Sequence, residues 1–174
     1  MDVERQVGRK NLTSPPLHLW HPALSGDIPI RITADGTWYH DGVAIQRESL
    51  VRLFASILRR EDDGEYYLVT PAEKWRIEVE LHPLLVTDIT QGEEAGDVVL
   101  QATLNTGTIL RVGEEHPLWL EPTRGHVPVL QLDYGLSAMF SRAAWYRLAD
   151  MARDLDGVPT VVSGSYHFAL APHL

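Results

Sequence analysis

The sequence predicts an α+β fold of duplicated strand–helix–hairpin units, mostly antiparallel β with two main helices. Three observations predict it. Short runs that alternate apolar and polar residues, separated by Gly, Pro and Asp turn signals, fill most of the chain. Twice the period switches to the i, i+3, i+4, i+7 stripe of an amphipathic helix. After each such stretch the same order of events returns: Asp-Gly, strand, turn, strand.

Residues 1–16 are polar, lack periodicity and end in Pro15-Pro16, which predicts a flexible N-terminal arm. An N-terminal half is expected over 17–90. Residues 28–33 alternate as a half-buried strand does, Ala34-Asp35-Gly36 is a turn, and residues 36–40 return as a second strand. Asp41-Gly42 turns again into a short strand at 43–45. A helix is expected over 47–60, with Leu50, Val51, Leu53, Phe54, Ile57 and Leu58 in its stripe and Gly64 just past its end. Strands follow at 66–69 and 74–81, the latter placing Trp75, Ile77, Val79 and Leu81 on one face, and 84–89 continues the sheet.

The acidic, glycine-bearing segment 91–96 is the expected boundary, and a C-terminal half is expected over 91–174. Its strands are read at 98–104, 109–112, 117–120 and 127–132. A second helix is expected over 142–155, and strands at 160–163 and 166–170 close the chain. Arg47, Leu50, Arg52 and Leu53 of the first helix match Arg142, Trp145, Arg147 and Leu148 of the second in order. That match is the internal case for duplication.

The chain has 174 residues, no cysteine, 15 Lys+Arg and 24 Asp+Glu, a formal charge of −9. Without cysteine there is no disulfide, thiolate metal site or cysteine nucleophile. The acidic balance opposes binding to a nucleic-acid polymer or an anionic membrane face. No apolar stretch reads as a signal peptide or a membrane span, so a cytoplasmic protein is expected.

No GxSxG elbow, HExxH frame or GxxxxGK[ST] loop occurs, and no catalytic residue is assigned. His18 and His21 stand three apart, but between Pro16 and Pro22 an extended or turn conformation is expected, and no third ligand follows at metal-site spacing; neither metal nor cofactor is expected. The sharpest local feature is Thr70-Pro71-Ala72-Glu73-Lys74-Trp75. Such a turn gathers a hydroxyl, a carboxylate, an ammonium and an aromatic ring, suited to hold a base by stacking and an anion by charge. The bland alternative is a solvated hairpin with a surface ion pair. His40 and Asp41 sit similarly at a glycine turn. Arg47 and Arg142 fall at helix starts, where a cation opposes the macrodipole, so each is expected to serve a partner, a carboxylate or an anionic ligand.

The stretches DGTWYHDG and AIQRESLVRLFASILRREDDGEYYLVTPAEKWRIEVE resemble a bacterial family numbered twelve eighty-five among the domains of unknown function. Gly36, Trp38, His40, Gly42, Arg47, Tyr67, Thr70, Pro71, Glu73 and Lys74 match its pattern, while His82-Pro83-Leu84-Leu85 departs from it. The resemblance implies a C-terminal half like a pleckstrin-homology barrel, a site for a nucleotide-like ligand between the halves, and a place in signal transduction.

The expected function is therefore a non-catalytic, cytoplasmic sensor or regulatory module for a small anionic, nucleotide-like ligand. His40, Arg47, Thr70, Glu73, Lys74, Trp75 and Arg142 are the expected ligand-binding residues. An adaptor that takes a signalling protein partner is the second reading, and a hydrolase or transferase built on His40, Asp41 and Glu73 the third.

Overall fold

Two six-stranded sheets with the same strand topology organise the molecule. The computed structural model describes residues 14–171; most of the arm expected over 1–16 lies outside the described residues. Two compact units divide the chain, the first running to Pro83 and including Tyr134–Leu136, the second holding Leu84–Asp133 and the chain from Ser137 on.

The N-terminal unit opens with a 3-10 turn at Leu17–Leu19. Its sheet contains β1 (Gly26–Ile32), β2 (Trp38–His40), β3 (Val43–Ala44), β4 (Leu58–Arg60), β5 (Tyr66–Val69) and β6 (Lys74–Val79), in the order β3-β2-β1-β6-β5-β4. Helix α1 (Glu48–Ser56) joins β3 to β4. Two antiparallel meanders thus meet along one parallel seam, β1 against β6. One face is apolar: Ile30, Ile32, Trp38, Leu58, Leu68 and Ile77 are all buried, and Phe54 of α1 stacks on Trp38 at 6.4 Å. Each fully buried Ile or Leu contributes about 1.5–3 kcal/mol.

The C-terminal unit repeats the plan with β7 (Leu84–Glu94), β8 (Asp97–Leu104), β9 (Ile109–Arg111), β10 (Leu118–Glu121), β11 (Val127–Gln131) and β12 (Ser137–Phe140). Read from one edge its order is 9-8-7-12-11-10, the first sheet's order with six added to each number. Its parallel seam is β7 against β12. Helix α2 (Arg142–Met151) follows, burying Ala144 and Leu148, then a three-stranded sheet of β13 (Arg153–Leu155), β14 (Val158–Ser163) and β15 (Tyr166–Ala169).

The α+β duplication expected from the sequence is present, with four differences. Both helices end sooner than their apolar stripes suggest, at Ser56 and Met151, and the chain turns almost at once into β4 and β13. Ile57 and Leu58 are fully buried, and Leu58 pairs with Leu68, so the sheet takes residues the helical period had claimed. The boundary expected at 90/91 falls inside β7, because 91–96 is a hairpin: Glu94 pairs with Asp97 across Ala95 and Gly96, both at positive φ as a two-residue primed turn requires. The division follows Pro83 instead. The pleckstrin-homology-like barrel is not confirmed: strand pairing among the described residues closes no barrel. β13–β15 keep to their own sheet, tied to β8 by the Leu100 N–H donating to Ser163 Oγ and Gly164 N–H to the Val98 carbonyl. Finally, the strands repeat exactly in order but the helices do not: α1 links the two meanders of its sheet, while α2 follows both of its own.

Candidate functional site

Because side chains alternate across a strand, the second face of the N-terminal sheet collects what the apolar face rejects. Arg59, Tyr67, Arg76 and Asp27 form one row across β4, β5, β6 and β1. At its centre Tyr67 is only 2% exposed, because cations lie over its ring, Lys74 Nζ at 4.6 Å and the Arg76 guanidinium at 5.9 Å. Its hydroxyl donates to Asp63. That bond lowers the Asp63 pKa and raises that of Tyr67.

Lys74 is committed within this face. Its ammonium donates to Glu61 Oε1 at 2.8 Å, and Arg59 donates to Glu61 Oε2 at 2.6 and 3.1 Å. Burial pushes the Glu61 pKa up, but hydrogen bonds from Lys74 and Arg59 outweigh it, and the net shift is downward. Arg59 also donates to the carbonyls of Leu17 and Trp20 at 3.0 and 2.9 Å, which fastens the segment before β1 to the sheet. Thr70 is fully buried; its Oγ1 accepts the Glu73 N–H at 3.0 Å, closing the turn. Trp75 points to the opposite face from Lys74, as its neighbour in a strand must, and packs against Gly26. So Thr70 closes the turn on the Glu73 backbone, while Lys74 and Trp75 leave it on opposite faces of the sheet.

The remaining expected residues are dispersed. His40 is exposed at the end of β2, 3.6 Å from Asp41. Its partner Ile30 and Ser25, which bonds the Lys74 backbone, are five residues apart in the chain, roughly 15 Å at strand rise. Arg47 is the exposed N-cap of α1 without a side-chain capping bond, and Arg142 is exposed at the start of α2 in the other unit. His18 and His21 touch only through a ring nitrogen of His21 at 2.9 Å from the His18 carbonyl oxygen. No group of three or more metal-ligating side chains occurs among the described residues. Nor is any helix among them long and apolar enough to cross a membrane.

A recess lies on the charged face, at the β1–β6 seam. β1 advances four residues, from Asp27 to Arg31, where β6 advances two, from Arg76 to Glu78. The excess residues swing out as a bulge and leave Ile77 without a partner in β1. Pro29 sits within it, tolerated because no ladder N–H is needed there. The result is a cleft of about 760 Å³ lined by Asp27, Pro29, Arg31, Tyr39, Glu65, Arg76 and Glu78 among others. Arg76 is 39% exposed, lies 3.6 Å from Asp27, and its buried Nε has no hydrogen-bond partner. The equivalent seam of the second sheet is regular, with Leu84, Leu85 and Val86 opposite Ala138, Met139 and Phe140 in unbroken register.

Sequence reasoning missed the cleft. Most of its residues read as strand or turn and none carries a chemical motif, yet the proline inside the alternating run 28–33 is the signal that marks a bulge.

Comparison with known proteins agrees with the division of the chain. Residues 15–81 match the model described as "Domain of unknown function (DUF1285), N-terminal domain", and residues 83–170 match "Protein of unknown function (DUF1285), C-terminal domain". A crystal structure of a DUF1285 family protein from Silicibacter pomeroyi DSS-3 is 37% identical, with a TM-score of 0.83 over 92% of this chain and 88% of that one. A second, from Shewanella baltica OS155, is 31% identical, with a TM-score of 0.59 over 71% of this chain and 91% of that one. No functionally curated protein matches.

Proposed function

The chain belongs to the DUF1285 family, and we propose that it is a non-catalytic, cytoplasmic ligand-binding module of a signalling system. Its ligand is a small molecule with an anionic, nucleotide-like part, seated in the β1–β6 cleft of the N-terminal unit. One observation carries the reading: two sheets share one topology, yet only one has its parallel seam opened by a bulge. The fold therefore does not require the opening, and bulges that re-aim side chains concentrate at functional sites. Arg76, 39% exposed at the cleft wall, supplies the charge for the anionic part. Tyr39 supplies a ring for stacking at the cleft wall.

The test is a thermal-shift screen against nucleotides, cyclic nucleotides and dinucleotides. A ligand at a hundred times its Kd stabilises the native state by about 2.7 kcal/mol, well within detection. A saturable shift that disappears in Arg76→Gln, with the free variant melting near wild type, is the expected result. No shift at millimolar concentration removes the ligand reading. A second reading, an adaptor for a signalling protein, draws on edge strand β9, where Ile109 is 61% exposed. An added strand could pair there. A stoichiometric partner that is lost on Ile109→Lys would favour it.

A further inference from the structure

We infer that the cleft selects a ligand with one anionic group and hydroxyl or amine donors along its body, and discriminates against polyphosphates. This rests on the ligand reading above. Three carboxylates line the cleft, Asp27, Glu65 and Glu78, against two guanidiniums, Arg31 and Arg76.

Arg31 is already engaged. It is ion-paired with Glu80, whose other oxygen accepts the Ala34 N–H at 2.7 Å, so the pair is anchored to the backbone. Arg76 is the less committed cation, its contacts being the Tyr67 ring and hydroxyl and a distant Asp27. Its carboxylate partner Asp27 stands at 3.6 Å, beyond hydrogen-bond distance, and is 73% side-chain exposed, so an incoming anion can displace it at little cost. One such cation accommodates one anionic group.

The carboxylates then face the rest of the ligand. An ionised carboxylate only accepts hydrogen bonds, so Asp27 and Glu78 reward hydroxyls and amines and repel further phosphates. The ring of Tyr39 and the bulge residues Ile28 and Pro29 give an apolar wall for the ligand's body. A nucleoside monophosphate has this pattern, with its sugar hydroxyls and exocyclic amine; a nucleoside triphosphate spends its extra charge against the carboxylates.

The experiment is calorimetric titration of the full chain, without magnesium, with AMP, ATP and inorganic phosphate. AMP is expected to bind at least tenfold more tightly than ATP, and phosphate more weakly than AMP. In Asp27→Asn/Glu78→Gln, both positions being exposed, the AMP-to-ATP preference is expected to fall at least tenfold. ATP binding as tightly as AMP overturns the inference while leaving a ligand cleft in place, as does a preference unchanged in the double variant. Failure of all three probes to bind overturns this inference, and the ligand reading falls with it when the nucleotide screen also gives no shift.

Discussion

Lys74 shows what a single residue's surroundings decide. The sequence places it in a polar turn, and an ammonium there serves equally well as a ligand contact or as an internal tie. Its geometry is that of a tie, 18% exposed, bonded to Glu61 and lying over Tyr67. Removing it leaves Glu61 with Arg59 alone, and hydrogen bonds to charged groups are worth about 1.5–3 kcal/mol. Lys74→Ala is therefore expected to lower stability by about 1–3 kcal/mol in a urea melt; an unchanged midpoint would return Lys74 to the ligand. The same cluster contributes to the protein's acid limb. Glu61 and Asp63 within it, and Asp35 in the turn after β1, where Thr33 and Thr37 hold its carboxylate, all have pKa values below the ordinary carboxylate values. In the acid range the unfolded chain then binds more protons than the folded one. The stabilisation is complete above about pH 4.5, the ordinary Glu value, and is lost as pH falls through the lowered folded values. Lys74→Ala should flatten this limb, measurable as a smaller slope of melting temperature against pH between 5 and 3.

At the scale of elements, the sequence was legible wherever one period governed a segment and failed where two competed. The alternation in β6 put Ile77 inside and Arg76 outside, and the structure agrees. The helix ends fall short of the helical stripe because Leu58 and Leu155 extend that stripe while strand pairing decides their state. The Asp-Gly pairs that looked like helix stops are hairpin turns, with Gly64 at φ 81° and Asp156 and Gly157 at φ 54° and 82°. Local propensity cannot separate these roles, since both want a left-handed residue. The hairpin at 94–97 was hidden for a related reason: its acidic, glycine-bearing tip has the composition of a linker. That tip also holds a removable strain, because Ala95 sits at φ 51°. Left-handed backbone costs a non-glycine residue about 1–2 kcal/mol, partly offset by the entropy glycine loses on folding. Ala95→Gly is expected to stabilise by about 0.5–1 kcal/mol, read as a higher midpoint at constant denaturant slope. A lower midpoint would mean the turn adopts another conformation.

Across the whole molecule, the duplication provides its own control. Both sheets join two meanders through one parallel seam, so the closed β7–β12 seam displays what β1–β6 would look like without its bulge. The candidate site was illegible because it depends on pairing register, which links Asp27 to Arg76 and Arg31 to Glu78 across nearly fifty residues; a single strand's pattern carries no record of its partner's count. Deleting Ile28 and Pro29 together lets Asp27, Ile30 and Arg31 run opposite Arg76, Ile77 and Glu78 in unbroken register, as in the second sheet. Because the deletion spans two residues, every side chain keeps its face. The variant loses the bond from the Asp41 N–H to the Pro29 carbonyl but gains ladder bonds at the seam. It is expected to fold, to melt within a few degrees of wild type, and to show no ligand-induced shift. Deleting Pro29 alone throws one side of β1 onto the wrong face, burying charge, and is expected to unfold the N-terminal unit. If the two-residue deletion folds and keeps its ligand response, binding does not depend on the bulge, and the cleft is a feature of the fold alone.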